Sequence, residues 1–444
     1  MASAAEQLAA NMNFSSFAKA KELQQRILFT IIILVVYRLG TWVPIPGIDM
    51  VQYARVFEQN SQGILSMFNV LGGGAVERMA IFALNVMPYI SASIIMQLMS
   101  ATIPSLEKLK KEGGEAGRKQ INQYSRYLTV VLATGQALAI AMGMNAVNAD
   151  GLSMALNPGP FFIISTVVTL VGGTMLLLWL GEQITSRGVG NGVSLIIFAG
   201  IIAAVPGMLG NALSLSASGG MSAGVFFGGL LMIIAGLVLV VFIERSQRRL
   251  LVQYPKRQQG NRMVGGDSSF LPLKLNTAGV IPPIFASSLL LLPATAAGFQ
   301  SQSGPEWLQT AVAYLGAGSP LFLALYAALI IFFCFFYTSV VFNPEETADN
   351  LRKYGGFLPG IRPGQRTTEY LDYVLSRLTL IGALYLTLIC LVPMMMSTNA
   401  GLGGTSILIV VSVSMDTISQ IQSHLLAHQY EGLIKKSKLR GRKR

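Results

Sequence analysis

Ten apolar stretches recur along the 444-residue chain, near 26–43, 79–101, 123–143, 160–181, 189–209, 223–243, 276–297, 319–342, 374–396 and 403–426. Each is long enough to cross a hydrocarbon core about 30 Å thick. Lipid offers the backbone no hydrogen bonds, so segments of this kind are predicted to be helices. Composition agrees, with 52% hydrophobic residues, 12% charged residues and a mean hydropathy of +0.56. A soluble domain carries about 25% charge. Residues 1–25 are polar and precede a full-length span, so no cleavable signal pattern is expected there.

Basic residues orient the spans. With the N-terminal side taken as inner, 29 of the 32 Lys and Arg residues fall in inner segments. Arg55 and Arg78 lie outside, and Arg38 lies within the first span. Loops 144–159, 206–222, 298–318 and 397–402 contain neither residue type. This asymmetry predicts a multi-pass protein with both termini in the cytoplasm. The net charge of +12 then becomes a one-sided field, suited to anionic phospholipid or an acidic partner.

Two short motifs occur twice. Val86-Met87-Pro88-Tyr89-Ile90-Ser91-Ala92-Ser93 returns as Val280-Ile281-Pro282-Pro283-Ile284-Phe285-Ala286-Ser287, with Val, Pro, Ile, Ala and Ser in register. Gly192-Val193-Ser194-Leu195-Ile196-Ile197 returns as Gly404-Thr405-Ser406-Ile407-Leu408-Ile409. The copies fall in the second and seventh spans and in the fifth and tenth. A repeat unit of five spans is odd, so its second copy must be upside down. The expected fold is all-α, with ten transmembrane helices in two inverted five-helix halves, 26–210 and 223–426. Residues 1–25 and the basic tail 427–444 flank them.

Chemistry is sparse. Cys334 and Cys390 sit inside the eighth and ninth spans, with no CxxC spacing. His424 and His428 are four residues apart without a third ligand nearby, which favours an interfacial role over a metal. Arg38 and Asp416 are the conspicuous charges within spans, and packing or reach to an interface is the favoured reading of both. Gly188 to Gly192 is glycine-rich but joins two spans, so it reads as a tight turn rather than a phosphate loop. No nucleophile–base pair is evident. Neither an enzyme nor a cofactor is expected, and an ion-coupled transporter is disfavoured by the lack of midplane charge.

The segments that carry function are apolar or basic. Residues 63–78 are too short in apolar residues to span, and Gly72, Gly73 and Gly74 offer a flexible joint. The segment is either an interfacial re-entrant piece or a movable plug. Val86 and Ile90 share a helix face, as do Val193 and Ile197, and the repeats add Ile284 and Ile409. Six branched aliphatics converging on a pseudo-two-fold axis would form a dry constriction. Loops 244–275 and 343–373 are the two long basic segments. The first carries Arg248, Arg249, Lys256, Arg257 and Arg262. The second places Arg362 between Pro359-Gly360 and Pro363-Gly364, a turn that projects it at a tip. Together they read as a docking surface for an acidic protein or for ribosomal RNA phosphates.

With these residues in view, the chain resembles the SecY family of bacterial protein-export channels over roughly residues 21–440. The likeness is carried by VPIPGID at 43–49, ALNVMPYISASIIMQL at 83–98, LGEQITSRGVGNGVSLIIFAGI at 180–201, AGVIPPIFASS at 278–288, FNPEETADNL at 342–351 and PGIRPG at 359–364. The resemblance implies a clamshell around an hourglass pore, conducting unfolded preproteins across the bacterial cytoplasmic (inner) membrane and releasing apolar segments sideways into lipid. It implies that Val86, Ile90, Val193, Ile197, Ile284 and Ile409 are the pore ring. It implies that 64–78 is the plug, including Ile64, Leu65, Met67, Phe68, Asn69, Gly72, Gly73 and Gly74. Gln97 and Asn276, with Ser91 and Ser287 of the repeated motif, belong to the expected lateral gate. Arg257 and Arg362, with Arg248 and Arg249, belong to loops expected to engage a SecA motor or the ribosome. SecE-like and SecG-like subunits and signal peptides complete the implied partners. A secondary transporter with inverted repeats is the alternative.

Overall fold

The computed structural model describes residues 21–60, 69–145, 154–218, 222–254, 257–259, 262–264, 268–300, 319–395 and 404–441. A helix stands at each of the ten predicted spans. They are α1 (Lys21–Gly40), α3 (Met87–Thr102), α5 (Gly114–Asn145), α6 (Pro160–Arg187), α7 (Gly192–Ala217), α8 (Ala223–Arg245), α9 (Ile281–Gln300), α10 (Pro320–Val341), α12 (Gln365–Met395) and α13 (Gly404–Gly441). Three shorter helices intervene: α2 (Met50–Asn60), α4 (Pro104–Glu112) and α11 (Pro344–Lys353). Eight of the described helices are long and apolar enough to cross a membrane by themselves, and a bent pair, Met87–Ser100 with Pro104–Lys110, is a ninth candidate.

Several helices depart from the expected bounds. The second span was expected from residue 79, but its helix begins at Met87. Residues 72–86 form turns instead, with Met79 and Asn85 at positive φ. The first helix stops at Gly40, ahead of Pro44 and Pro46, where the missing amide hydrogens end the ladder. α5 runs 32 residues, about 48 Å at about 1.5 Å per residue, so it outreaches the hydrocarbon.

The chain forms two compact units. The first comprises residues 1–92, 125–210 and 409–444. α1 packs against α6 within it. Its principal core joins Ile45, Ile48, Tyr53, Phe57, Met79, Leu84, Ala133, Ala137, Phe162 and Leu170. Short backbone bridges, Pro44 with Ala80 and Ile48 with Ala155, tie the connections over this core. Asp49 caps α2 by accepting from the amide of Val51 at 3.0 Å. Elsewhere in the unit the glycine-rich turn 188–192 is indeed tight. The Val189 amide donates to Thr30 Oγ1 at 3.1 Å, that of Gly190 to Gln420 Oε1 at 3.0 Å and that of Gly192 to Thr185 Oγ1 at 2.9 Å.

The second unit comprises residues 93–124 and 211–408. α9 and α12 both pack on α10, where Phe285 meets Phe333 edge-on at 5.8 Å. Cys334 and Cys390 are buried free thiols. Loop 244–275 folds into strands. β1 (Gln247–Gln253) pairs antiparallel with β4 (Ser268–Lys274), and β2 (Arg257–Gln259) pairs with β3 (Arg262–Val264). Gln253 bridges Phe357, so this loop and loop 343–373 make one subdomain. Leu250, Val252, Leu273, Ala348, Leu358, Leu371 and Val374 form its own core.

Local structure reproduces the duplication. Met87 and Ile281 are equivalent in the first motif, and each is the first residue of its helix, followed by proline. Two residues earlier, Asn85 (φ 51) and Gly279 (φ 63) both take the left-handed conformation. In the second motif Gly192 and Gly404 each begin a helix. Each glycine's Cα rests on a carbonyl of the preceding span, Gly181 for one and Ile389 for the other, where a methyl group would collide.

That geometry makes a prediction. Gly192→Ala and Gly404→Ala should each destabilise the protein by about 1–3 kcal/mol through overpacking against backbone. Gly135→Ala, where a Cβ meets nothing within 4 Å, should be neutral or stabilising. Thermal melting of the three variants in detergent checks this.

Candidate functional site

Five of the six predicted ring residues lie in the first unit. Val86 closes the turn before α3, and its carbonyl accepts from the Ile90 amide at 3.1 Å. The two side chains therefore stand one helical turn apart. Both are buried, as are Ile197 of α7 and Ile409 of α13. Val193 is half-buried, its Cγ2 lying 3.2 Å from where a Cβ on Gly181 would stand. Ile284 lies in the second unit, half-buried on the first turn of α9. No side chain of this set carries a hydrogen-bonding group.

Of the predicted plug, Ile64, Leu65, Met67 and Phe68 lie outside the described residues. Asn69 to Leu71 form a short helical turn, and Gly72 to Met79 continue as turns. The glycines were expected to be a flexible joint. In the structure Gly73 and Gly74 take the left-handed conformation, at φ 65 and φ 85. Asn69 grips Glu77 twice. It accepts from the Glu77 amide at 3.0 Å and donates to the Glu77 carboxylate at 3.1 Å. Tyr53 of α2 donates to the Val76 carbonyl at 2.7 Å. Burial, with Glu77 nearby, pushes this phenol above its ordinary pKa and keeps it a donor.

The polar gate residues sit differently. Ser91 is buried in α3. Gln97 is half-buried farther along α3, where its carbonyl accepts from Ser100 at 2.8 Å. Ser287 turns back to the Ile284 carbonyl at 2.9 Å. Asn276 is buried just ahead of α9. It donates to Glu244 at the end of α8 at 2.7 Å and to the Gly279 carbonyl at 3.1 Å. Glu244 escaped the sequence reading because a charge near a span end looks like an interfacial residue.

Among the described side chains, the basic loops keep their charges on the surface. Arg362 is exposed in a turn set by Gly360 (φ 81) and Gly364 (φ 109), and its carbonyl accepts from Thr367 at 3.0 Å. Arg248 and Arg249 are exposed on β1. Arg257 begins β2, opposite Val264. Asp416 and His424 are exposed on α13. The His428 side chain lies outside the described set. Arg126 and Glu182 form an ion pair at 2.7 Å within the first unit.

The bundle of apolar helices with its duplicated helix starts is a fold also found in solved structures of protein-conducting channels. A solved structure described in those words superimposes with a TM-score of 0.64 at 17% identity, covering 90% of this chain and 92% of that one. Sec61 in the canine ribosome–channel complex gives 0.61 at 16% identity, with the same coverage. Sequence is more specific. The SecY family model matches residues 80–418. The SecY protein translocase subunit of Rickettsia bellii is 53% identical over 434 residues, 97% of this chain and 100% of that protein. Its Escherichia coli K12 counterpart is 51% identical over 426 residues, 95% of this chain and 96% of that protein. The chain belongs to the SecY family. It is a multi-pass membrane protein and a channel subunit of the protein translocase, a component rather than a catalytic enzyme.

The Asn276–Glu244 contact yields a prediction. A double-mutant cycle with Asn276→Ala and Glu244→Ala should give a coupling of about 1.5–3 kcal/mol, the range of a hydrogen bond to a charged group. Melting of the four proteins at neutral pH measures it, and a coupling near zero removes the contact.

Proposed function

We propose that this chain conducts unfolded preproteins across the bacterial cytoplasmic membrane and releases apolar segments laterally into lipid. The observation that carries the reading is the shared helix start of the two motif copies, Met87-Pro88 and Ile281-Pro282. It gives Ile90 and Ile284 the same position within their two helices, which the charge topology predicts to run in opposite directions. With Val86, Val193, Ile197 and Ile409 they supply only hydrocarbon to the constriction. A narrow apolar ring offers water no partner and seals by staying dry, yet it yields to an extended chain without specific bonds to break. Residues 64–78 act as the plug over it. Halves 26–210 and 223–426 are the moving bodies.

Lateral release follows from the helices that carry the first motif. Gln97, Ser91, Asn276 and Ser287 are the polar members of the gate. A signal peptide that binds the open gate better than the closed one shifts the population toward opening. Energy comes from a partner. Both termini and the subdomain built from loops 244–275 and 343–373 face the cytoplasm, where a SecA motor or a ribosome docks on Arg248, Arg249, Arg257 and Arg362. Solved relatives of the fold include a Sec61 channel and an Ssh1 complex bound to ribosomes, which supports the ribosome as a partner. SecE-like and SecG-like subunits complete the assembly, and anionic phospholipid meets the inner positive charge.

Two experiments test this reading. Ile90→Asn with Ile284→Asn should raise resting ion conductance in planar bilayers, because Asn can hold water in the ring. In a background lacking residues 64–74, conductance no higher than that of the deletion alone would reject the seal. Arg362→Glu should impair translocation while leaving membrane insertion intact, since charge reversal turns attraction for an acidic partner into repulsion. Unchanged export with unchanged partner affinity would remove Arg362 from the docking surface.

A further inference from the structure

Three consecutive carbonyls in the first unit are each gripped by a different side chain. Leu71 accepts from Asn85 Nδ2 at 2.8 Å, Gly72 from the Tyr37 hydroxyl at 3.4 Å, and Gly73 from Arg38 Nη1. Tyr37 and Arg38 belong to α1, and Asn85 lies at the entrance to α3. A third element presses from another side. A Cβ on Gly200 of α7 would lie 2.6 Å from the Leu71 oxygen and 3.3 Å from the Gly73 nitrogen. The segment closes on itself as well. The Gly74 amide donates to the Asn69 carbonyl at 2.8 Å and the Ala80 amide to Ala75 at 2.8 Å. Val70, Leu71 and Ala75 are buried.

We infer that Tyr37, Arg38 and Asn85 hold residues 69–80, the part of the plug segment nearest α3 and the turn after it, as a fixed anchor rather than a hinge, with Arg38 as the positioning residue. This rests on the channel reading above. Arg38 stands half-buried in the last turn of α1, where its guanidinium gives up water that the Gly73 carbonyl replaces. Arg38 also faces a second guanidinium. Arg78 lies 3.6 Å and Arg38 5.8 Å from the centre of the same Trp42 ring. Two like charges at one ring repel, and the Trp42 face together with the Gly73 carbonyl offsets that cost for Arg38. Thr41, which Arg38 reaches at 3.4 Å, helps aim it. The glycines supply a backbone shape and a surface for close approach, not freedom of movement.

Hydrogen exchange of peptides spanning 69–82, in the complete translocase reconstituted in lipid, tests the anchor. In the parent protein these amides should stay protected both at rest and with a precursor held in the channel. Arg38→Met should speed their exchange about tenfold, about 1.4 kcal/mol and close to one charge-assisted hydrogen bond. Arg38→Lys should recover part of the protection, and α6 should be unaffected. Loss of protection in the parent on adding precursor would make the segment a hinge and overturn the inference. So would unchanged exchange in Arg38→Met. Gly200→Ala, which pushes on the Leu71 carbonyl without removing a donor, should speed the same amides and decides the matter if Arg38→Met does not assemble. Resting conductance, recorded beside exchange, should rise in Arg38→Met. Loosened exchange with unaltered conductance keeps the anchor and counts against the seal. Unaltered exchange removes the anchor whatever the conductance.

Discussion

Wherever a helix is interrupted at membrane depth, the freed amides and carbonyls must find partners inside the protein, because lipid offers none. Much of the first unit answers that requirement. Residues 72–86 depart from helix, and Asn85, Tyr37, Arg38 and Tyr53 each donate to a carbonyl between Leu71 and Val76. Turn 188–192 leaves amides exposed between two spans, and Thr30, Gln420 and Thr185 accept from them. In the second unit Asn276 does the same for Gly279. The polar residues of these spans are therefore best understood as backbone partners. That is why their number is small and their placement specific.

The same constraint explains the duplicated glycines. A hydrocarbon solvent gives little hydrophobic drive for one helix to pack on another, so close backbone approach and its dispersion contacts must supply the attraction. Gly192 against the Gly181 carbonyl and Gly404 against that of Ile389 make such approaches at equivalent points of the two halves. Gly173 does likewise against the Ile81 carbonyl. A helix start pinned in this way also sets the rotation of its helix. The residues one and five positions on, Val193 and Ile197, then present from a fixed base.

Most of the helices were legible because their signal is compositional. Ten long apolar runs became ten helices, and the repeated motifs share their registers. What stayed hidden depends on distance along the chain. Asn85 meets Leu71 across 14 residues, Arg38 meets Gly73 across 35 and Thr30 meets Val189 across 159. No local pattern marks such pairs. Arg38 was visible as a charge in a span, yet its partner was not, because a carbonyl leaves no trace in residue identity. Gly72 to Gly74 are ambiguous for a related reason. Glycine permits both freedom and a fixed turn, and the donors around them are what supports the second reading proposed above. The strands of loop 244–275 escaped because Arg and Gln at the exposed positions of β1 mask its alternation. Only Leu250 and Val252 turn inward.

The chain thus separates two physical tasks. In the function proposed above, conduction needs a surface that binds nothing, and the aliphatic side chains of the proposed ring have no hydrogen-bonding group to offer. Docking needs charge held in a defined place, and flexible loops would pay conformational entropy on every encounter. Loops 244–275 and 343–373 avoid much of that cost by sharing a core of Leu250, Val252, Leu273, Leu358 and Leu371. Arg248 and Arg362 are then carried at the surface of a prefolded body. That core extends to Leu375 and Leu378 of α12, a helix long enough to cross the membrane. A partner docking at that surface, as proposed above, would therefore act on a membrane helix through packed side chains rather than through the loop ends alone.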